Sequence, residues 1–179
     1  MSDQFVHLHL HSQYSLLDGA IKFDELFDEV EKQGMSSVAL TDHGNLFGAY
    51  DFYKKAKDKG IKPIVGCELY IAKDHLNKSS ENNKTHHLTV LAKNLQGYEN
   101  LCTLVSIGHL KGFYRKPRID RKLLFEYSDG LIVLSGCLNG EVCHNILKGR
   151  KDEAIKIAAE YKNILGDRYF IEIQGTCLK

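Results

Sequence analysis

No stretch of this sequence approaches the roughly 18 uninterrupted apolar residues that a membrane span requires, and "SDQFVH" after Met1 lacks a basic leader and an apolar run. These absences predict a cytoplasmic protein with no membrane partner. An excess of one charge is also missing: 24 Lys and Arg stand against 23 Asp and Glu, a net charge of +1. That balance argues against a basic tail or membrane patch and makes any nucleic-acid contact local. Cysteines are few and unpaired in pattern. Cys67, Cys102, Cys137, Cys143 and Cys177 are odd in number and form no close motif, so a disulfide framework is not expected and each is a ligand or a small core residue. A phosphate-cradling Gly-rich loop, a Gly-x-Ser-x-Gly elbow, internal repeats and low-complexity linkers are all absent. One domain is the simplest count, and a chain of 179 residues buries about 70% of its unfolded surface.

What is present is an alternation of apolar runs with amphipathic stretches. "FVHLHLH" reads as a first strand and "KFDELFDEVEKQG" as a helix, with Phe23, Leu26, Phe27 and Val30 at helical spacing. "SSVALTDHG" is a strand breaking at Asp42-His43-Gly44, and a helix through "FGAYDFYKKAKDKG" precedes the strand "KPIVGCELYIA". A polar loop at 74–85, without apolar anchors, is expected to be mobile. "HHLTVLA", a helix over 94–111, the strand "GLIVLSG", helices over 141–147 and 152–165, and a last strand "RYFIEIQ" follow. Near-continuous apolar strands separated by helices predict an α/β barrel or doubly wound sheet of parallel strands.

Side chains alternate along a strand, so His7, His9 and His11 share one face. A single strand histidine is more often a satisfied polar residue than a ligand; three in alternation shift the balance towards a metal. His43 ends the second strand, Glu68 lies in the third and Cys137 follows the fifth apolar run, so strand ends would bring them over one mouth. Asp18 could reach the same rim. Imidazole, carboxylate and thiolate suit zinc, manganese or iron. His87 opens its strand and would lie at the wrong rim of a parallel sheet, unless "LYIAKD" and "THHLTVLA" form an antiparallel hairpin, with His86 then facing away. His75, His109 and His144 have no such context and read as loop or surface residues. Asp42 is either an acceptor that orients a ligand imidazole or a helix cap; both readings stand. In "LKGFYRKPRIDRK", Arg115, Lys116 and Arg118 are candidates for a nucleic-acid or partner contact beside Phe113 and Tyr114, against the plainer reading of a solvated charged face.

"FVHLHLHSQYSLLDGA", "ALTDHGNLFGAYDFYKKAKDKGIKPIVGCELYIA", "HHLTVLAKNLQGYENL", "GFYRKPRID" and "LIVLSGCLNGE" closely resemble the N-terminal polymerase and histidinol phosphatase (PHP) domain of bacterial DNA polymerase III alpha subunits. The likeness runs from Phe5 to about Gln174. It implies a distorted TIM-like (βα)7 PHP barrel with a site for up to three divalent metals, zinc or manganese or iron, held by His9, His11, Asp18, His43, Glu68, His87 and Cys137. His7 becomes a supporting neighbour. The family supplies a further Asp and His after a later strand, so the chain is expected to be an N-terminal fragment, residues 1–179 forming about the first two thirds of the domain. The barrel would be incomplete at its C-terminal end, with unpaired edges; "GTCLK" is not the usual continuation. Polymerase palm, fingers and thumb would be absent. The implied function is metal-dependent phosphoester hydrolysis, linked in the family to 3'-5' exonuclease proofreading, within a DNA-directed DNA polymerase. Implied partners are DNA, a sliding clamp and a proofreading subunit. A non-catalytic scaffold and a stand-alone phosphatase are the alternatives.

Overall fold

A computed structural model describes residues 5–175; Met1, Cys177 and most of the closing "GTCLK" lie outside the described residues. The elements run α1 (Phe23–Lys32), β1 (Ser37–Leu40), α2 (Ala49–Asp58), β2 (Lys62–Ala72), β3 (Thr85–Ala92), α3 (Leu95–Leu110) and β4 (Arg118–Asp120). Then follow α4 (Arg121–Glu126), β5 (Leu131–Leu134), α5 (Glu141–Leu147), α6 (Lys151–Leu165) and β6 (Tyr169–Phe170). The fold is mixed α/β.

Local signals explain most boundaries. Phe23, Leu26, Phe27 and Val30 form the buried stripe of α1, with Asp24 and Glu25 in its first turn and Lys32 in its last. Asn94 caps α3 by accepting from the Gly97 amide at 2.9 Å, and Asp120 caps α4 by accepting from the Leu123 amide at 2.9 Å.

The sheet follows the order β1-β2-β3-β5-β6, with β4 paired to β2. β1 runs parallel to the start of β2, Ser37 opposite Lys62, and β4 runs parallel to its end, Tyr70 opposite Arg118. β3 is antiparallel to both β2 and β5, whereas β5 and β6 are parallel. The expectation of parallel strands is therefore corrected to a mixed sheet. The cause is the hairpin through residues 73–84, which reverses β3 and sets His87 opposite Tyr70.

Two predicted strands are shorter than expected. Residues 5–11 form no regular strand, although the segment lies along β1: the Ala39 amide donates to the His7 carbonyl and the Thr41 amide to that of Leu10, each at 2.9 Å. The Leu10 amide instead donates to the Thr41 hydroxyl at 2.8 Å, so a side chain takes the place of a backbone rung. Pairing of "RYFIEIQ" as a named strand ends at Phe170, and beyond it the Glu172 amide donates to the Ser135 hydroxyl at 2.9 Å.

Alternation divides the chemistry between the two faces of β2 and β3. Cys67, Leu69, Ile71, Leu88 and Val90 join Leu101, Leu104, Ile157 and Tyr161 in the main apolar core against α3 and α6. Glu68 and Thr89 point the other way. A second core packs α1 and α2 on β1 through Phe23, Phe27, Val38, Leu40 and Phe52. Burying each such side chain contributes roughly 1.5–3 kcal/mol, so the strand pair is held firmly behind its polar face.

Arg118 overturns one expectation and supplies an anchor that the sequence did not show. It is fully buried, so it cannot contact a nucleic acid from the surface. Its guanidinium donates to the carbonyls of Gly112 at 3.0 Å, Asn82 at 2.9 Å, Asn77 at 3.1 Å and His75 at 3.4 Å. Three of those carbonyls belong to the loop expected to lack apolar anchors; a buried cation, not an apolar side chain, ties that loop to β4.

Candidate metal centre

Glu68 is 1% exposed, and its carboxylate is surrounded by imidazoles from three different segments. Oε1 lies 2.9 Å from His87 Nδ1 and 3.4 Å from His9 Nε2; Oε2 lies 2.6 Å from His43 Nδ1 and 3.4 Å from His11 Nε2. His43 Nε2 in turn lies 3.0 Å from Asp18 Oδ2. Cys137 Sγ stands 3.7 Å from both Glu68 Oε1 and His87 Nδ1. Burial works against ionisation of Glu68, but the adjacent imidazoles of His43, His87 and His9 hold its carboxyl well below the usual carboxylate range. Burial raises the Cys137 thiol, so a cation would be needed to make it a thiolate ligand.

Two of the seven residues singled out from the sequence are oriented by partners the sequence did not announce. His9 Nδ1 pairs with Glu172 Oε1 at 2.6 Å, and the Thr89 hydroxyl donates to Glu172 Oε2 at 3.1 Å. The carboxylates lift His9 to about 9 although burial pulls it down. Ser15 donates to Asp42 Oδ1 at 2.7 Å, which leaves its oxygen to accept from His11 Nδ1 at 3.3 Å and from the His43 amide at 3.1 Å. That relay fixes the His11 tautomer and frees its Nε2 lone pair. Asp42 also accepts from the Ser12 amide and hydroxyl at 2.7 and 2.8 Å. Asp42 therefore acts on His11 through Ser15 rather than on its neighbour His43, and it caps no helix: α2 begins without a side-chain cap.

The remaining candidates are placed as follows. His7 is exposed and packs edge-on against Phe5 at 4.8 Å, and it belongs to none of the three ligand groups around Glu68, His11 and His43. His86 faces away and its Nδ1 meets the Asn139 carbonyl at 3.1 Å. His75, expected on a plain surface loop, lies 2.5 Å from Asp120 and borders a cavity of about 860 Å³ apart from Glu68. His109 donates through Nε2 to the Gly44 carbonyl at 2.9 Å and so steadies the turn that carries His43. Gly44 is required there: its φ is 61°, and an added Cβ would meet Pro117 Cγ at 2.7 Å.

The donor set fits divalent metals. His9 Nε2 and His11 Nε2 face each other at 3.0 Å while both Nδ1 atoms are engaged elsewhere, so a cation displacing the His9 proton would find two imidazole nitrogens converging on it. His43 Nδ1 and Glu68 Oε2 are buried and close, yet neither has an aligned hydrogen bond. Among the described residues, four groups have ligand atoms within 4.8 Å of one another; Asp74, His75 and Asp120 stand apart, and the other three are His9, His11 and Glu68; His11, Asp18 and His43; and His43, Glu68 and His87. His11, His43 and Glu68 each serve two groups, an arrangement suited to more than one ion.

The PHP domain family model matches residues 7–176. The chain belongs to the PHP domain family. It is 50% identical over 179 residues to the DNA polymerase III subunit alpha of Helicobacter pylori strain 26695, covering 94% of this chain and 15% of that protein. It is 48% identical over 179 residues to the protein of the same name from Borreliella burgdorferi, covering 98% of this chain and 16% of the relative. With the Thermus aquaticus subunit alpha it shares 49% identity over 178 residues, covering 96% and 15%. The PHP chain thus spans about 15% of the length of these curated relatives.

Proposed function

We propose that this PHP domain forms part of a DNA-directed DNA polymerase of the polymerase III alpha kind, and that its histidine–glutamate centre hydrolyses phosphoesters, with 3'-5' exonuclease action on DNA as its role. The observation that carries the reading is the sharing of Glu68, His11 and His43 among three ligand groups. His9, His11, Asp18, His43, Glu68, His87 and Cys137 would hold up to three zinc, manganese or iron ions. Bound there, such ions supply an activated water and neutralise charge on a phosphate. Glu68 holds four imidazoles at one point, Glu172 and Ser15 fix the rings of His9 and His11, and Asp18 holds the outer nitrogen of His43. DNA, a sliding clamp and a separate proofreading subunit are the partners this reading entails, in the cytoplasm. None of the described helices is long and apolar enough to cross a membrane. Closure of the sheet into a TIM-like (βα)7 barrel belongs to the same proposal, supported by the His9–Glu172 contact between the first and last described segments.

The same contact favours a second reading, a scaffold whose histidine network stabilises the polymerase and docks the proofreading subunit. Manganese-dependent release of nucleotides from a labelled oligonucleotide separates the two. The catalytic reading expects release that falls at least 100-fold in His9→Ala; turnover unaffected by that change, or none in the metal-loaded protein, leaves only the scaffold.

A further inference from the structure

The loop between α3 and β4 is mounted on the buried Arg118, which donates to the Gly112 carbonyl and lies 5.2 Å from the centroid of the Tyr114 ring. Its tip is a tight turn in which the Tyr114 amide donates to the Lys116 carbonyl at 3.1 Å and Arg115 has a φ of 63°. The turn sets Lys116 Nζ 4.4 Å above the centre of the Tyr70 ring. That ring stacks on His43 at 5.9 Å and meets His87 edge-on at 5.2 Å, so the ammonium is one ring away from two imidazoles of the centre. Among the described residues, no carboxylate lies within ion-pair distance of Lys116 or Arg115.

Two aromatic rings accompany this cation. Phe113 is 48% exposed and stacks on His109 at 6.3 Å; Phe47 is 67% exposed and lies 6.1 Å from the same imidazole. His109 is anchored to the Gly44 carbonyl, one residue from His43. Exposed rings flanking an anchored imidazole, next to unpaired cations, match the alternation of base and phosphate in a single strand. A duplex keeps its base faces stacked and could not use the rings, and a small phosphate ester would need the cation alone.

We propose that Lys116, Phe113 and Phe47 seat the single-stranded end of a nucleic acid beside the histidine–glutamate centre, Lys116 neutralising a backbone phosphate and the rings stacking unpaired bases. The proposal names the substrate class of the phosphoester reading and rests on it. The test measures fluorescence anisotropy of a labelled twelve-nucleotide oligothymidylate with the full chain over a range of salt concentrations, for wild type, Lys116→Ala, Phe113→Ala and the control Lys57→Ala on α2. Loss of Lys116 should flatten the slope of log affinity against log salt by about 0.7, the value for one phosphate contact on a single strand. Loss of Phe113 should weaken binding at least about fivefold at unchanged slope. Lys57→Ala should leave both as in wild type. No oligonucleotide binding, as expected if another protein surface covers this patch, or affinity and slope unaltered in both site variants, would overturn the proposal. Hydrolysis of bis(p-nitrophenyl) phosphate by the wild-type chain is followed in parallel: its absence counts against the phosphoester reading, while the anisotropy still decides the seat.

Discussion

His9 and Glu172 are 163 positions apart in the chain and 2.6 Å apart in space. Through that pair the segment before α1 and the segment after β6 meet over the same face of the sheet. Replacing Glu172 by Gln keeps the shape and removes the charge that orients His9. Affinity for manganese or zinc should fall about 10- to 100-fold, the usual cost of losing a partner behind a ligand histidine. Isothermal titration checks this; affinity equal to wild type would separate Glu172 from the site.

Ser15→Ala removes the link from Asp42 to His11 while leaving the Ser12 contacts of Asp42 in place. A metal-affinity loss in the same 10- to 100-fold range is expected, with a stability loss of about 1–3 kcal/mol because the His43 amide loses its acceptor and Asp42 a donor. Titration and urea unfolding on one preparation distinguish a positioning role from a structural one.

Arg118→Met should destabilise the protein by about 3 kcal/mol, because four buried carbonyl contacts lose a charged donor. Amides of the 74–84 loop should exchange faster in the variant. Urea unfolding and hydrogen exchange read the two effects, and an unchanged loop would contradict the anchoring.

Asp120 supplies a pH dependence away from the histidine cluster. Burial would raise its pKa, yet His75 and the Leu123 and His75 amides lower it below the ordinary aspartate value. A depressed carboxyl contributes stability above its unfolded pKa and loses it as pH falls through the folded value. Asp120→Ala should therefore cost about 1 kcal/mol near neutral pH, as for a lost helix cap, with the gap to wild type closing below about pH 4. Unfolding midpoints across that range test the sign.

Much of this was legible in residue pattern. Phe23, Leu26, Phe27 and Val30 announced α1 by spacing, and the misplaced His87 pointed to a hairpin before any strand pairing was known. Glu172 was missed, although Phe170, Glu172 and Gln174 alternate in the last apolar run; a polar pair on one side of a strand was the available signal. Arg118 was misread because charge type predicts exposure, and only the folded loop reveals four carbonyls waiting for a donor. The three-residue β4 and the short α4 lay hidden in the same basic stretch, since neither is long enough to show a period.

On the proposed reading, Glu68 anchors a centre for more than one ion. Its most direct test is metal content by mass spectrometry after manganese or zinc loading and gel filtration, for wild type and Glu68→Gln, with circular dichroism to confirm that both are folded. More than one equivalent is expected in wild type and a clear loss in the variant; a folded wild-type protein without bound metal, or a variant that retains the full complement, would rule this centre out.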